Sequence, residues 1–340
     1  MKRKKIIYGI LIVLLLAAGF IAWKIFGPSV SSPEGKYFYI ATGETYPEVE
    51  AALIDQKIIG GSFFFELIAK QLKYTKAVKP GRYEIRNGMS VLNLLRMLRS
   101  GNQSPVSLVI TKLRTKEDLA QKIGNNFECD SLEIINILNS EDSLRKYGLD
   151  TNIAMTAVIP NTYSILWNTP ATKIFKKLVT EKERFWNDER MKKADGLNMT
   201  PDQVYTMASI VEEETNKEED KGNIASVYLN RIHSGQLLEA DPTIKFALRN
   251  FGLKRIRSSH INQAKASPYN TYYTKGLPPG PICTPSSKTI DAVLNAPATN
   301  YLFFVARPDR SGLSNFTSSY EEHKINAKIY QHYLDSINIK

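Results

Sequence analysis

Glu212, Glu213 and Glu214 stand in a row near the end of the segment Met207 to Thr215, Met-Ala-Ser-Ile-Val-Glu-Glu-Glu-Thr. A carboxyl group at the edge of a buried surface loses hydration, and its pKa rises. Still protonated near neutral pH, it can protonate a leaving group. The same run also reads as the solvated end of a surface helix, which asks for no chemistry. The helix is well specified. Thr200 suits the N-cap, Pro201 suits the first turn, and Gln203 completes a capping-box spacing. Val204, Met207, Ala208 and Val211 recur at helical spacing and form an apolar stripe. At about 100° per residue, Glu213 points away from that stripe, while Glu212 and Glu214 fall on its two flanks. Spacing alone leaves those two as equals.

Elements on both sides must position these carboxylates. A helix over Lys217 to His233 is expected, with Ile224, Val227, Tyr228 and Ile232 inward and Gly235 as its cap. Leu238 to Pro285 is loop-rich and dense in polar and aromatic residues. It holds Asp241-Pro242-Thr243, Ser267 to Tyr272 and Gly276 to Pro281. A long structured loop region beside a carboxylate helix is where a binding cleft is usually built. Stacking aromatics and amide side chains suit a sugar; ordinary Pro/Gly turns around a strand would read the same way. Tyr301 to Val305 reads as a buried strand and Tyr320 to Ile337 as a terminal helix. Upstream, Ala171 to Trp186 is an amphipathic helix, Lys116 to Ile123 and Leu132 to Leu138 are helices, and Ile159 to Tyr163 is a loop entry.

Residues 37–106 form a small α+β module: a strand at Lys36 to Ile40, helices over Thr45 to Ile58 and Phe63 to Leu72, a strand after Pro80-Gly81, and a helix from Ser90 to Gly101. The last helix shows Val91, Leu94, Leu95 and Leu98 on one face. Residues 28–36 read as a linker, and 107–340 as the larger α+β domain, opening on a strand at Ser107 to Ile110. Before the linker, Lys2 to Lys5 precede Ile6 to Trp23, a stretch without charge. Such a segment is a minimal membrane span or a signal peptide. Ala17-x-Gly19 would pass as a cleavage site, but the apolar run continues to Trp23, so residues 1–27 are expected to be an uncleaved single-pass anchor. The basic flank stays in the cytoplasm by the positive-inside rule, so the rest of the chain is expected on the extracytoplasmic side of the membrane.

The net charge is +11, yet the basic residues beyond the anchor are scattered, with no basic stripe interleaved with aromatics, so nucleic acid is not an expected partner. Four histidines without paired spacing argue against a zinc site. Cys129 and Cys283 allow one disulfide or two thiols. A Gly-rich phosphate loop, a GxSxG motif and a recognisable Cys–His pair are all missing from the sequence.

Several motifs in one order resemble the YceG-like (MltG) family of membrane-anchored endolytic murein transglycosylases. They are Ala208-Ser-Ile-Val-Glu-Glu-Glu-Thr215, Ile224 to Arg231, Leu238 to Thr243, Tyr269 to Tyr272, Gly276 to Ile282, Thr284-Pro285, Asn295-Ala-Pro297 and Tyr301 to Val305. Lys79 to Tyr83 and Gly88 to Ser90 match in the module. The resemblance covers nearly the whole chain beyond the anchor. It implies a LysM-like module followed by a catalytic domain, and it selects Glu214, the second Glu of the Val-Glu-x-Glu-Thr motif, as the essential acid. The chain departs from the family pattern twice. Pro160-Asn161-Thr162-Tyr163 stands where members often carry Pro-Asp-Thr-Tyr, so no catalytic carboxylate is placed there. Glu213 stands where a lysine is common, which makes the local field more negative and tends to raise the pKa of Glu214.

The resemblance implies cleavage of the β-1,4 bond between N-acetylmuramic acid and N-acetylglucosamine within peptidoglycan strands. Glu214 would serve as acid and then as base, closing a 1,6-anhydro ring without water, metal or organic cofactor. Cutting nascent strands would set their length. Asp241, Thr243, Asn270 and Tyr272 are the expected substrate contacts. Two rivals stand beside this reading: a muramidase-type hydrolase pairing Glu214 with Asp241, and a non-enzymatic glycan-binding scaffold. A hydrolase needs the second carboxylate; the bland role of Asp241 is to cap its Asp-Pro-Thr turn. Contact with peptidoglycan synthases is a family expectation that no residue here shows.

Overall fold

The computed structural model describes residues 2–336; Met1 and residues 337–340, including the expected helix end at Ile337, lie outside the described residues. Chain contacts divide it into two compact units: Met1–Leu108 with Asn126–Cys129 and Tyr163–Pro170, and the remainder.

The first unit opens on α1 (Lys2–Phe26), the one described helix long and apolar enough to cross a membrane. Next come β1 (Tyr37–Ile40), α2 (Tyr46–Asp55), α3 (Ser62–Gln71), β2 (Gly81–Glu84) and α4 (Val91–Ser100). β1 and β2 pair antiparallel, Phe38 opposite Tyr83 and Ile40 opposite Gly81. Alternation turns Phe38 and Ile40 inward to meet Val49 and Leu53 of α2, Phe65 of α3 and Leu94, Leu95 and Leu98 of α4. Ser90 caps α4 by accepting from Asn93 N, and Gly101 ends it with φ 73°. The supposed linker is a correction. Val30 is buried and bridges Ile59, and Ser29 N and Val30 N both donate to Met89 O. Residues 28–36 therefore form an edge of the module, because Val30 finds an apolar slot that composition could not reveal. β3 (Val106–Val109) leads out of the unit.

The second unit carries α5 (Lys116–Gly124), α6 (Ser131–Leu138) and α7 (Glu141–Arg145). The chain then returns to the first unit in β4 (Thr162–Ile165), which pairs with β3 where the sequence suggested only a loop entry, before re-entering the second. Then come α8 (Ala171–Phe185), α9 (Asp188–Gly196), α10 (Pro201–Glu214) and α11 (Glu218–His233). The loop-rich stretch holds two short helices, α12 (Asp241–Ala247) and α13 (Ser258–Gln263), before α14 (Ser287–Leu294). β5 (Phe303–Ala306) and β6 (Ser314–Thr317) form an antiparallel hairpin, and α15 (Tyr320–Ser336) packs on it. β5 is half-buried throughout, not the buried strand its Leu-Phe-Phe-Val composition suggested: Phe304 meets Tyr228 of α11 and Phe303 meets His323 of α15, but in a two-stranded sheet one edge of β5 has no neighbouring strand. The architecture is α+β, with helices dominant and three two-stranded sheets among the described residues.

Candidate active site

Helix α10 is the axis of the second unit. Its capping box is formed: Gln203 N donates to Thr200 Oγ1 at 3.2 Å and Thr200 N to Gln203 Oε1 at 2.8 Å. Every residue from Val204 to Val211 is buried, so the helix has no solvated back. The stripe read from the sequence was too narrow because α11, α12 and α14 enclose the helix from several sides. Small hydroxyls replace solvent there: Ser209 Oγ donates to Thr206 O and accepts from Ile282 N. The helix stops at Glu214 because Thr215 turns extended (φ −146°, ψ 145°) and its Oγ1 accepts from Lys217 N, opening α11. Three acids thus sit at a helix C-terminus, the end whose dipole disfavours anions.

The three acids meet different surroundings. Glu212 enters a polar nest: Oε2 accepts from Ser286 Oγ at 3.1 Å and from Thr289 Oγ1, and Lys221 Nζ stands 3.4 Å away. Glu213 is not solvated. Arg114 grips it with Nε at 3.1 Å and Nη2 at 3.0 Å, and Lys112 Nζ adds a contact at 3.3 Å. Glu214 has no such cation in hydrogen-bond contact. Its Oε1 accepts a 2.6 Å hydrogen bond from the phenol of Tyr228, on α11. Burial raises the Glu214 pKa to about 7; the Tyr228 bond opposes this, Asp241 adds to it, Lys245 opposes it, and Glu213 adds least. The direction expected of Glu213 holds, but burial dominates.

Glu214 opens onto a cleft of about 440 Å³ lined by Tyr228, Arg231, Leu238, Glu239, Asp241, Tyr272, Phe304 and His323. Asp241 and Tyr272, both expected at a substrate site, meet here: Tyr272 Oη donates to Asp241 Oδ1 at 2.6 Å. Burial, then the bond to Asp241, pushes the Tyr272 phenol far up, so it is a neutral donor. Asp241 does not cap a turn; it is the first residue of α12, where a carboxylate suits the helix dipole. Thr243 and Asn270 are fully buried and do not line the cleft. They act behind it. Thr243 Oγ1 donates to Ala240 O at 2.7 Å and meets Thr271 Oγ1 at 2.9 Å. Asn270 accepts from Tyr272 N at 3.0 Å and donates to Ile261 O at 2.9 Å. Together they fix α12 against the Tyr272 loop, so that Asp241 and Tyr272 stay paired. A larger hollow of about 590 Å³ lies at the other end of α10, around Thr200, Gln203 and Leu277. The carboxylate that lines it, Asp202, is paired with Lys182 at 2.5 Å.

The proline-rich loop locks onto α10. Ile282 N and Cys283 Sγ both bond Ser209, and Gly280 passes so close to Asn152 that a Cβ would lie 2.1 Å from its carbonyl oxygen. Backbone meets backbone there, so neither side can yield by rotating. Gly280→Ala is expected to cost about 1–3 kcal/mol, read as a lower denaturation midpoint with unchanged slope. Cys129 and Cys283 are both buried and not joined to one another.

Sequence reasoning missed four contributors. Tyr228 was assigned to the apolar face of its helix; burial 2 % from full hides the ring, and only the hydroxyl reaches Glu214. Arg231 donates to the carbonyls of Leu302 and Leu238 and pairs with Glu239 at 3.1 Å, tying the cleft's rim to α11. His323 lies on the C-terminal helix, with its ring stacked on Phe303 at 5.2 Å. Burial, then Arg231, holds its pKa down. Arg114, which relieves Glu213, comes from a hundred residues upstream in the chain, and no motif marks it. Asn161 lines a separate hollow with Glu212 and Ser286. Among the described residues no group of three His, Cys, Asp or Glu side chains is arranged to hold a metal ion.

Residues 38–329 match the model of the YceG-like family. An endolytic murein transglycosylase of Bacillus subtilis is 27% identical over 321 residues, covering 88% of this chain and 85% of that relative. One of Streptococcus pneumoniae is 26% identical over 335 residues, again 88% of this chain, of which the chain spans 58% of the relative's length. The crystal structure of a YceG-like protein from Listeria monocytogenes superposes with a TM-score of 0.57 over 86% of this chain and 99% of that one; at 23% identity it shows a shared fold.

Proposed function

Because the chain belongs to the YceG-like family, we propose that it is an endolytic murein transglycosylase, held to the membrane by α1, that cuts within peptidoglycan strands. The observation that carries the proposal is Glu214: a carboxyl on a cleft wall, raised to about 7, whose hydrogen-bond contact is a neutral phenol. Such a group is protonated often enough at neutral pH to act as a general acid and basic enough to act afterwards as a base.

Tyr228 occupies Oε1, which leaves Oε2 to carry the acidic proton toward the cleft. Glu214 donates that proton to the glycosidic oxygen as the muramoyl C1–O bond breaks and C1 gains oxocarbenium character. Its carboxylate then takes the proton of the muramoyl C6 hydroxyl. That oxygen bonds to C1 and closes the 1,6-anhydro ring. Proton count balances: Glu214 ends as it began, and water is not consumed. Asp241 contributes a negative charge beside the developing cation, held in place by Tyr272. We assign Asp241 and Tyr272 as contacts of the reacting sugar, and Thr243 and Asn270 as supports behind them. The first unit is taken as the LysM-like module and the second as the catalytic domain, on the extracytoplasmic side. Strand cutting there would terminate elongation, and neighbouring synthases are the partners to test.

The placement of Asp241 in the same cleft favours a second reading, hydrolysis, in which it serves as the partner carboxylate. Mass spectrometry of products from uncrosslinked strands separates the readings. Anhydro-muramoyl ends made by the full-length protein in detergent, and absent with Glu214→Gln, are the expected result. Reducing ends would move the assignment to hydrolysis. Intact strands with both proteins would leave the binding scaffold.

A further inference from the structure

We propose that the apolar edge of α3 formed by exposed Phe63 and Leu67 with half-buried Phe64 is bedded in the leaflet of the bilayer from which α1 emerges. The inference rests on the reading of α1 as a membrane anchor. It goes further, because it gives the first unit its own contact with lipid.

Three observations lead to it. The first is how α1 ends. Only Gly27 and Pro28 separate it from Ser29 and Val30, whose amides donate to Met89 O. Ile25, still within the helix, packs on the core of the unit, and Val30 belongs to that core. The unit therefore begins where the apolar helix ends, with no slack to lift it from the surface.

The second is depth. The span Lys4–Phe26 measures about 35 Å at 1.5 Å per residue, slightly more than the roughly 30 Å of hydrocarbon in a bilayer. Phe20 lies six residues before the end of α1, about 9 Å along the helix axis. Its ring meets the ring of Phe64 edge to face, with centroids 6.5 Å apart. A side chain touching Phe20 from outside the helix stands at the depth of Phe20. Lys24, packed over Phe20 and Trp23, supplies the cation expected at the headgroup boundary.

The third is the division of α3 into edges. Phe65, Ile68 and Ala69 enter the core. Phe63 and Leu67, one turn apart, lie on the opposite side and are 71% and 52% exposed. Glu66 and Lys70 pair at 2.6 Å on that same side, Lys70 one turn beyond Leu67 toward the end of α3. Phe63 stacks edge to face on Phe64, so this edge is continuous with α1. Exposed Phe and Leu at this spacing are costly in water and favourable at a lipid boundary. Continuity with a helix that itself requires lipid selects the bilayer as the occupant.

Spin labelling of the full-length protein in phosphatidylethanolamine/phosphatidylglycerol vesicles tests this. Both native cysteines are buried, so labels go to introduced ones. Collision with oxygen, which concentrates in lipid, is compared with collision with a water-soluble nickel chelate. Labels on Phe63→Cys and Leu67→Cys are expected to favour oxygen several-fold, and the label on Lys192→Cys, at an exposed position of α9, to favour nickel. A Leu15→Cys label reports the anchor itself. If Leu15 favours oxygen while positions 63 and 67 match position 192, the leaflet contact is overturned and the anchor stands. If Leu15 also favours nickel, both fall. Labels at 63 and 67 shielded from both reagents and dipolar-broadened between molecules would overturn the proposal in favour of a self-interface.

Discussion

Glu214→Gln is expected to lower strand cleavage by about a thousandfold while leaving a folded protein that is more stable than its parent above neutral pH. The two effects share one cause. Burial raises the Glu214 carboxyl from 4.5 to about 7, so the folded chain holds this proton more tightly than the unfolded chain does. Below about pH 4.5 both states are protonated and no penalty arises. As the pH rises from there to about 7, the unfolded state ionises first and stability falls. Above 7 the folded state carries an unfavourable anion, at a cost of at most about 3 kcal/mol. Gln keeps the shape and still accepts from Tyr228, but cannot ionise. Melting temperatures measured from pH 4 to 9 should therefore coincide at the acid end and separate as pH rises, the variant melting higher. Equal separation at every pH would show that the carboxyl is not raised. In the parent, cleavage should fall as pH rises through about 7. Tyr228→Phe removes a bond that lowers this pKa, so the falling limb should move to higher pH.

Lys221→Met is expected to destabilise the second unit by about 3–5 kcal/mol, or roughly 10 °C in melting temperature. Lys221 is 3% exposed. Its ammonium bonds Glu218 at 2.7 Å and Thr289 Oγ1 at 2.7 Å and faces Glu212 at 3.4 Å. Methionine fills similar volume, so the loss is one of charge. Glu212 would remain in its nest of hydroxyls without a cation. Adding Glu212→Gln removes the stranded acid and should recover most of the loss, a coupling that thermal denaturation of the four proteins measures directly. A double variant no more stable than the single one would show that Lys221 acts through packing alone. Product yield per folded molecule should be little changed, which separates the structural acid Glu212 from Glu214, two residues along.

Much of the scaffold was readable before any coordinates. Thr200, Pro201 and Gln203 do start the central helix, and Ser90 and Gly101 do bound α4, because capping is local chemistry between residues three or four apart. Apolar spacing located the buried face of α4, but on α11 only Ile224, Val227 and Tyr228 of the expected face are buried, Ile232 is half-buried, and Lys221, Ser226 and Arg231 are buried as well. The failures share the opposite cause. β4 and β6 are four-residue strands whose pairing supplies the regularity their sequences lack. α12 lay hidden because Asp-Pro-Thr opens a helix as readily as it makes a turn. Residues 28–36 read as a tether because small and polar residues surround Val30, the residue that anchors them.

The sequence by itself determined the family, the capped helix that ends in three acids, and the aromatic and amide content of the loops beside it. All of these depend on residues close in the chain, or on motifs held in one order. It did not determine which acid is set apart. Glu212 and Glu214 are symmetric on a helical wheel, and only tertiary contacts break the symmetry. Lys221, Ser286 and Thr289 converge on Glu212, Arg114 and Lys112 on Glu213, and a buried phenol alone bonds Glu214. A pKa is a sum over groups within a few ångströms in space, and those groups come from segments up to about a hundred residues apart in the chain.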